Sequence, residues 1–136
     1  MLSSLGEREK SNVPVVVNVE KPKVETNVTD KKLTIPLGEC TYTGSVDAKG
    51  IPNGFGEAKF SDGRLYKGIF VHGVAQCADA HFEYENGDVY VGSFSNNSFN
   101  EGRYTIKKDG SYFKGTFKNG QPSKGVWYDK NGNIIE

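Results

Sequence analysis

The side chains with the most chemical potential lie close together, since His72, Cys77 and His81 fall within ten residues. That density invites two chemistries, zinc coordination and attack by a thiol with an imidazole as its base. Both require convergence. If 77–81 is a strand, Cys77 and His81 stand roughly 13 Å apart at about 3.3 Å per residue. A metal bound at about 2.0–2.3 Å cannot hold both, and the same separation defeats a Cys–His pair. His72 could meet Cys77 across a turn, but a fourth ligand is missing from the neighbourhood. His81, between Asp79 and Glu83, reads as one member of a solvated face. Glu83 and Glu85 project from an open sheet, where water screens them. The G-x-S-x-G, H-E-x-x-H and Walker patterns do not occur. The expectation is a protein that is not an enzyme, with no catalytic residue, metal or cofactor.

A second chemistry is anion capture. Residues 68–102 contain no Lys or Arg but hold Asp79, Glu83, Glu85, Asp88 and Glu101, a local −5. Residues 103–130 hold Arg103, Lys107, Lys108, Lys114, Lys118, Lys124 and Lys130 against Asp109 and Asp129, a local +5. Ordinary solvated faces account for such charge in a soluble β-rich protein. Two functional readings compete with that one. Lys107, Lys108, Lys114 and Lys118 could contact anionic lipid headgroups. Alternatively, the acidic stretch of one chain could meet the basic stretch of another, giving an antiparallel homodimer. Over the whole chain 17 basic residues balance 17 acidic ones, so no global field recruits nucleic acid.

The elements that would carry these groups follow from composition and from a repeat. Of the 136 residues only 35% are hydrophobic, yet 12% are aromatic and 17 are glycine, which fits a thin β-structure. An aromatic-x-Gly triplet recurs at Tyr42-Thr43-Gly44, Tyr66-Lys67-Gly68, Tyr90-Val91-Gly92 and Phe113-Lys114-Gly115, in steps of 24, 24 and 23 residues. Two residues after each triplet stands Val46, Phe70, Phe94 or Phe117. Between triplets fall Asp62-Gly63, Asn86-Gly87, Asp109-Gly110 and Asn131-Gly132, pairs that favour type I′ hairpin turns. Alternation places Ala78, Ala80, Phe82 and Tyr84 on one face, opposite Asp79, His81, Glu83 and Glu85. The chain is therefore predicted to be all-β, an elongated single-layer antiparallel meander of four stacked hairpins (42–65, 66–89, 90–112 and 113–136).

Tyr42, Tyr66, Tyr90 and Phe113, with Phe70, Phe94, Phe117 and Trp127, then form an aromatic ladder along one face. It is either the core of a curled sheet or a peptide-binding groove left partly open. Gly44, Gly68, Gly92 and Gly115 sit mid-strand, where glycine marks a close approach, and each would leave a notch for a neighbouring ring. No helical period follows them, so they are not a phosphate-binding loop.

This pattern resembles the MORN (membrane occupation and recognition nexus) repeats. Tyr66-Lys-Gly-Ile-Phe-Val-His-Gly73 follows the opening of the family's repeat closely, and Phe113-Lys-Gly-Thr-Phe-Lys-Asn-Gly120 follows it with Phe for Tyr. Gly54-Phe55-Gly56 supplies the family's Gly-x-Gly. Ala78 and Ala80 replace it in the second unit, and only Gly102 and Gly125 remain in the third and fourth, followed by Tyr104 and Trp127. Val46 stands where the family has an aromatic. The resemblance covers 42–136. It implies dimerising scaffolds, accessory domains beside kinases or methyltransferases, or a peripheral lipid-binding role.

Residues 1–36 differ. The polar start 1–12 precedes Val13–Val19, a β-branched run that could be a short edge strand beside Pro14, and Glu20–Lys32 reads as a linker. The preferred reading makes 1–36 a leader and 37–136 the repeat domain, with Leu33, Ile35 and Leu37 alternating as a strand that caps the first hairpin. Cys40 and Cys77 are too few for a disulfide scaffold, the start lacks an apolar signal core, and no run reaches the roughly 18 apolar residues of a span. The expected location is the cytoplasm, or a membrane surface under the lipid reading. The expected function is a non-enzymatic interaction module, binding protein or itself, with anionic phospholipid as the alternative.

Overall fold

The computed structural model describes residues 26–135. The strands are β1 (Thr26–Ile35), β2 (Gly38–Val46), β3 (Pro52–Phe60), β4 (Leu65–Val71), β5 (Val74–Ala75), β6 (Cys77–Glu83), β7 (Val89–Ser95), β8 (Ser98–Thr105), β9 (Tyr112–Lys118), β10 (Gln121–Tyr128) and β11 (Ile134–Ile135). They form one antiparallel sheet in chain order, with β5 pairing β4 beside the main path. This is the predicted meander of hairpins. It begins earlier than expected, because β1 pairs β2 from Thr26↔Val46 to Ile35↔Gly38 and so takes residues 26–32 out of the supposed linker. A β-strand tolerates Lys31 and Lys32 at a sheet edge, where charge discourages further pairing. The proposed strand at Val13–Val19 and the rest of residues 1–25 lie outside the described residues.

Register explains how one layer encloses a core. The pairings Gly44↔Gly56, Gly56↔Gly68, Ala80↔Gly92, Gly92↔Gly102, Gly102↔Gly115 and Gly115↔Gly125 run across the sheet as a row almost without side chains. The adjacent row on the same face is Tyr42, Ala58, Tyr66, Phe82, Tyr90, Tyr104, Phe113 and Trp127. Tyr42, Tyr66 and Tyr90 lie down over the bare row instead of standing away from it. The inner face thus carries its own covering, and Tyr42, Tyr66 and Tyr90 are fully buried without a second layer.

The turns differ from expectation. At Asp62-Gly63, Asn86-Gly87, Asp109-Gly110 and Asn131-Gly132 only the glycine has positive φ, whereas type I′ needs two such residues. These loops hold three residues, closed by Phe60 N to Arg64 O, Tyr84 N to Asp88 O and Asp129 N to Asn133 O, or four residues at 107–110. The acidic or amide residue serves another purpose there. Asp62, Asn86 and Asp109 each accept, through Oδ1, the backbone amide two residues ahead at 2.9–3.1 Å. The two-residue turns with both φ positive are His72-Gly73, Asn96-Asn97 and Asn119-Gly120, at the opposite ends of the strands.

Candidate functional site

The inner face is built around a tyrosine lock. Tyr42, Tyr66 and Tyr90 each donate their hydroxyl at 2.7 Å to the backbone carbonyl three residues on, at Ser45, Ile69 and Ser93. The ring passes over the intervening glycine, where an added Cβ at Gly44, Gly68 or Gly92 would lie 2.7–2.8 Å from the hydroxyl. The mid-strand glycines therefore make room for the ring of their own strand, two residues earlier, as well as for the facing strand. At Ser45 and Ser93 the facing strand carries extra residues, so the ladder is interrupted where the hydroxyl supplies a donor. Burial pushes the Tyr42 and Tyr90 hydroxyls up to about 12, and it raises Tyr66 as well. All three stay neutral donors at ordinary pH.

The ladder itself is continuous. Tyr42 meets Phe70, Tyr66 meets Phe70 and Phe94, Tyr90 meets Phe94 and Phe117, and Phe113 meets Phe117, at centroid distances of 4.8–5.7 Å. Most contacts are edge-to-face, the arrangement that ring quadrupoles favour. Val46, at 2% exposure, fills the place of the missing first Phe. Trp127 joins from the returning strand, 5.4 Å from Phe113, and stays half-buried. Further rings that the ladder left out join this core, Phe60, Phe82, Tyr84, Phe99 and Tyr104, and Phe99 stacks on Tyr90 at 4.0 Å. With these rings buried, the ladder is core and not an open aromatic groove. A recess of about 270 Å³ remains beside it, bordered by Arg64, Tyr84, Asn97 and Asn119.

The His and Cys residues do not converge. Cys77 packs against the core opposite Phe94, while an extra residue between Cys77 and Ala80 shifts the alternation. Ala78 is exposed as a result, so it does not share the face of Ala80. His81 stands on the outer face and bonds Glu83 at 2.7 Å. His72 is at the distal turn and bonds Asp47 at 2.9 Å. That bond, then the amides of Ile51 and Lys49, holds the Asp47 carboxyl below its usual range. Among the described residues no group of three His, Cys, Asp or Glu side chains could hold a metal ion. Cys40 is buried, which pushes its thiol up.

The four lysines are also dispersed. Lys114 and Lys118 lie on the outer face of β9, about 13 Å apart at 3.3 Å per residue. Lys107 and Lys108 occupy the loop beyond the far end of that strand. Lys107 has a structural task, with its stem beside Gly87 and its amide bonded to Asp88 at 3.0 Å. The basic character of the outer face concentrates elsewhere, where Arg103 stands directly opposite Lys114, between Val91 and Val126. Arg103 also lies 5.1 Å from the Tyr112 ring, which stacks on Tyr128.

The outer face holds a second feature that the sequence pattern encoded but the ring count obscured. Phe55 pairs with Ile69 across β3 and β4, on the face opposite the ladder, and is 61% exposed. Its parity, odd among Gly54, Gly56, Ala58 and Phe60, was the available signal. Among the described residues no helix is long and apolar enough to cross a membrane. No protein-family model and no curated protein matches the chain.

Proposed function

We propose that this chain is a non-enzymatic interaction module of the MORN-repeat kind, a platform that binds protein, including itself. The observation that carries the reading is the tyrosine lock, repeated at Tyr42, Tyr66 and Tyr90 with the same 2.7 Å bond. It commits the ring chemistry of the inner face to cohesion. The outer face is left to meet partners, and its rows mix charge with exposed apolar groups: Glu57, Lys67, His81, Val91, Arg103, Lys114 and Val126 follow one another in register. An extended repeat surface of this type suits recognition over catalysis. Sedimentation equilibrium over a wide concentration range tests the self-binding arm. A concentration-dependent mass supports it, and a constant monomer mass removes it.

A second reading, peripheral binding of anionic phospholipid, is favoured by one observation. Arg103 and Lys114 are like charges placed directly opposite, an arrangement that costs stability unless an anion relieves it. Lys118 extends this patch along β9, and Lys107 and Lys108 flank it at the loop. Co-sedimentation with phosphatidylserine vesicles at low salt is the test. Binding lost in Arg103→Ala and Lys114→Ala supports it, and an unbound wild type eliminates it.

A further inference from the structure

We propose that the outer face of β3 and β4 is a two-fold docking surface for a second copy of this chain, centred on Phe55 and Ile69. The inference rests on the self-association reading and assigns its surface. Phe55 and Ile69 stand side by side, 61% and 38% exposed, and Val71 follows Ile69 on the same face of β4 at 46%. Contiguous apolar surface of this kind marks an interaction site. The question is what covers it, and the register answers.

The next row along the same two strands is Glu57 opposite Lys67, which make no ion pair with each other among the described residues. Consider an axis lying between β3 and β4, parallel to the strands. Rotation by half a turn about it sets β3 of one copy over β4 of the other. Phe55 then covers Ile69 of the second copy, and Ile69 covers Phe55. In the same operation Glu57 meets Lys67, and Lys67 meets Glu57. The patch is thus complementary to itself in both shape class and charge, as an isologous contact requires. Packed sheets lie about 10 Å apart and cross at about −30°, so rows far from the axis drift out of register. The contact is therefore confined to these rows, and a small interface of this kind gives a weak, concentration-dependent dimer.

Charge reversal separates this arrangement from every other dimer. In Glu57→Lys both intermolecular contacts become repulsive, and in Lys67→Glu they do so with the opposite sign. Each variant alone should dimerise at least about tenfold more weakly than wild type by sedimentation velocity. An equimolar mixture of the two should form heterodimers, because each copy then offers what the other needs. Phe55→Asp should abolish the dimer while circular dichroism and the unfolding midpoint stay unchanged, since that ring lies outside the core. If wild type dimerises but these variants do not alter it, this face is overturned while self-association stands. If wild type remains monomeric into the high micromolar range, both fail. Single variants that weaken the dimer without heterodimer recovery on mixing overturn the two-fold arrangement.

Discussion

The first three repeats and the fourth use the same strand plan, yet they close it differently. At Tyr42, Tyr66 and Tyr90 a buried hydroxyl donates to the carbonyl three residues on. Phe113 occupies the same place at 3% exposure and has no hydroxyl to give. Beyond it, the residues of β10 from Gln121 to Val126 are all exposed, and only Trp127↔Ile135 and Tyr128↔Ile134 pair it to β11. The bulge in the fourth unit is instead bridged by a side chain from the middle of β9. Thr116 Oγ1 donates to Lys124 O and accepts from Lys124 N, both at 3.3 Å. Ser93 does the same for Glu101 in the third unit, where the tyrosine lock is present too. Ring burial is therefore the element common to all four units, and the hydroxyl is an addition to it.

The largest test of that order of importance is Tyr66→Ala. Its ring touches Phe70 and Phe94 and is fully buried, so truncation leaves a cavity shared by two repeats. A loss of about 3–5 kcal/mol is expected in denaturant unfolding, against about 0.5 kcal/mol or less for the neighbouring exposed Lys67→Ala. Equal losses would dissolve the distinction between the faces. Gly92→Ala comes next. Its Cβ would meet the Gly102 backbone at 2.5 Å and the Tyr90 hydroxyl at 2.8 Å. Two paired strands cannot both yield, and roughly 3 kcal/mol should be lost. Gly120→Ala, in a turn with nothing within 4 Å, should cost only its left-handed φ, about 1 kcal/mol.

The repeat, the alternation and the choice of face were legible because each is a periodic property of the chain. Tyr, Gly and Phe at spacing two must share a side of a strand. What could not be read was set by pairing across strands. The bulges opposite Ser45 and beside Ala80 depend on how many residues each partner brings to a fixed span, and no single strand carries that number. Glycine row membership of Gly56, Gly102 and Gly125 is likewise a register fact. The turn types were misplaced because Asn-Gly and Asp-Gly satisfy two geometries, and the loop length decides between them. His72-Gly73 hid a true two-residue turn, both φ positive, because it is not one of the Asn-Gly or Asp-Gly pairs that mark such turns. The dispersal of Lys107, Lys108, Lys114 and Lys118 has the same origin, because nearness in sequence along a hairpin is distance along its axis.

Alkaline titration sharpens the contrast without mutation. Tyr42 and Tyr90 are raised to about 12 in the folded chain, while unfolded tyrosines ionise near 10. Above pH 10 the unfolded state releases protons that the native state retains, so stability falls as pH rises from about 10 toward 12. Below pH 10 these groups leave stability flat. Phenolate absorbance from the buried tyrosines should appear late, together with unfolding. A single transition of all 7 tyrosines near pH 10, with the fold intact, would contradict the burial.

The smallest effect decides whether the hydroxyl matters at all. Tyr90→Phe keeps the ring, its contact with Phe94 and its stack on Phe99, and removes only the donor to Ser93 O. The carbonyl then lacks its partner beside a bulge, and about 1 kcal/mol should be lost. The reciprocal change, Phe113→Tyr, adds a donor where the backbone carbonyl of Thr116 occupies the equivalent place. If the fourth unit follows the others, the gain should be about 0.5–1 kcal/mol, read as a higher denaturant midpoint at constant m. A loss would mean that the space over Gly115 is already filled by the Lys124 carbonyl oxygen, the atom nearest the place of an added Cβ there. In that case the fourth repeat has exchanged its lock for a tighter strand pair, and Phe113 is the residue that exchange requires.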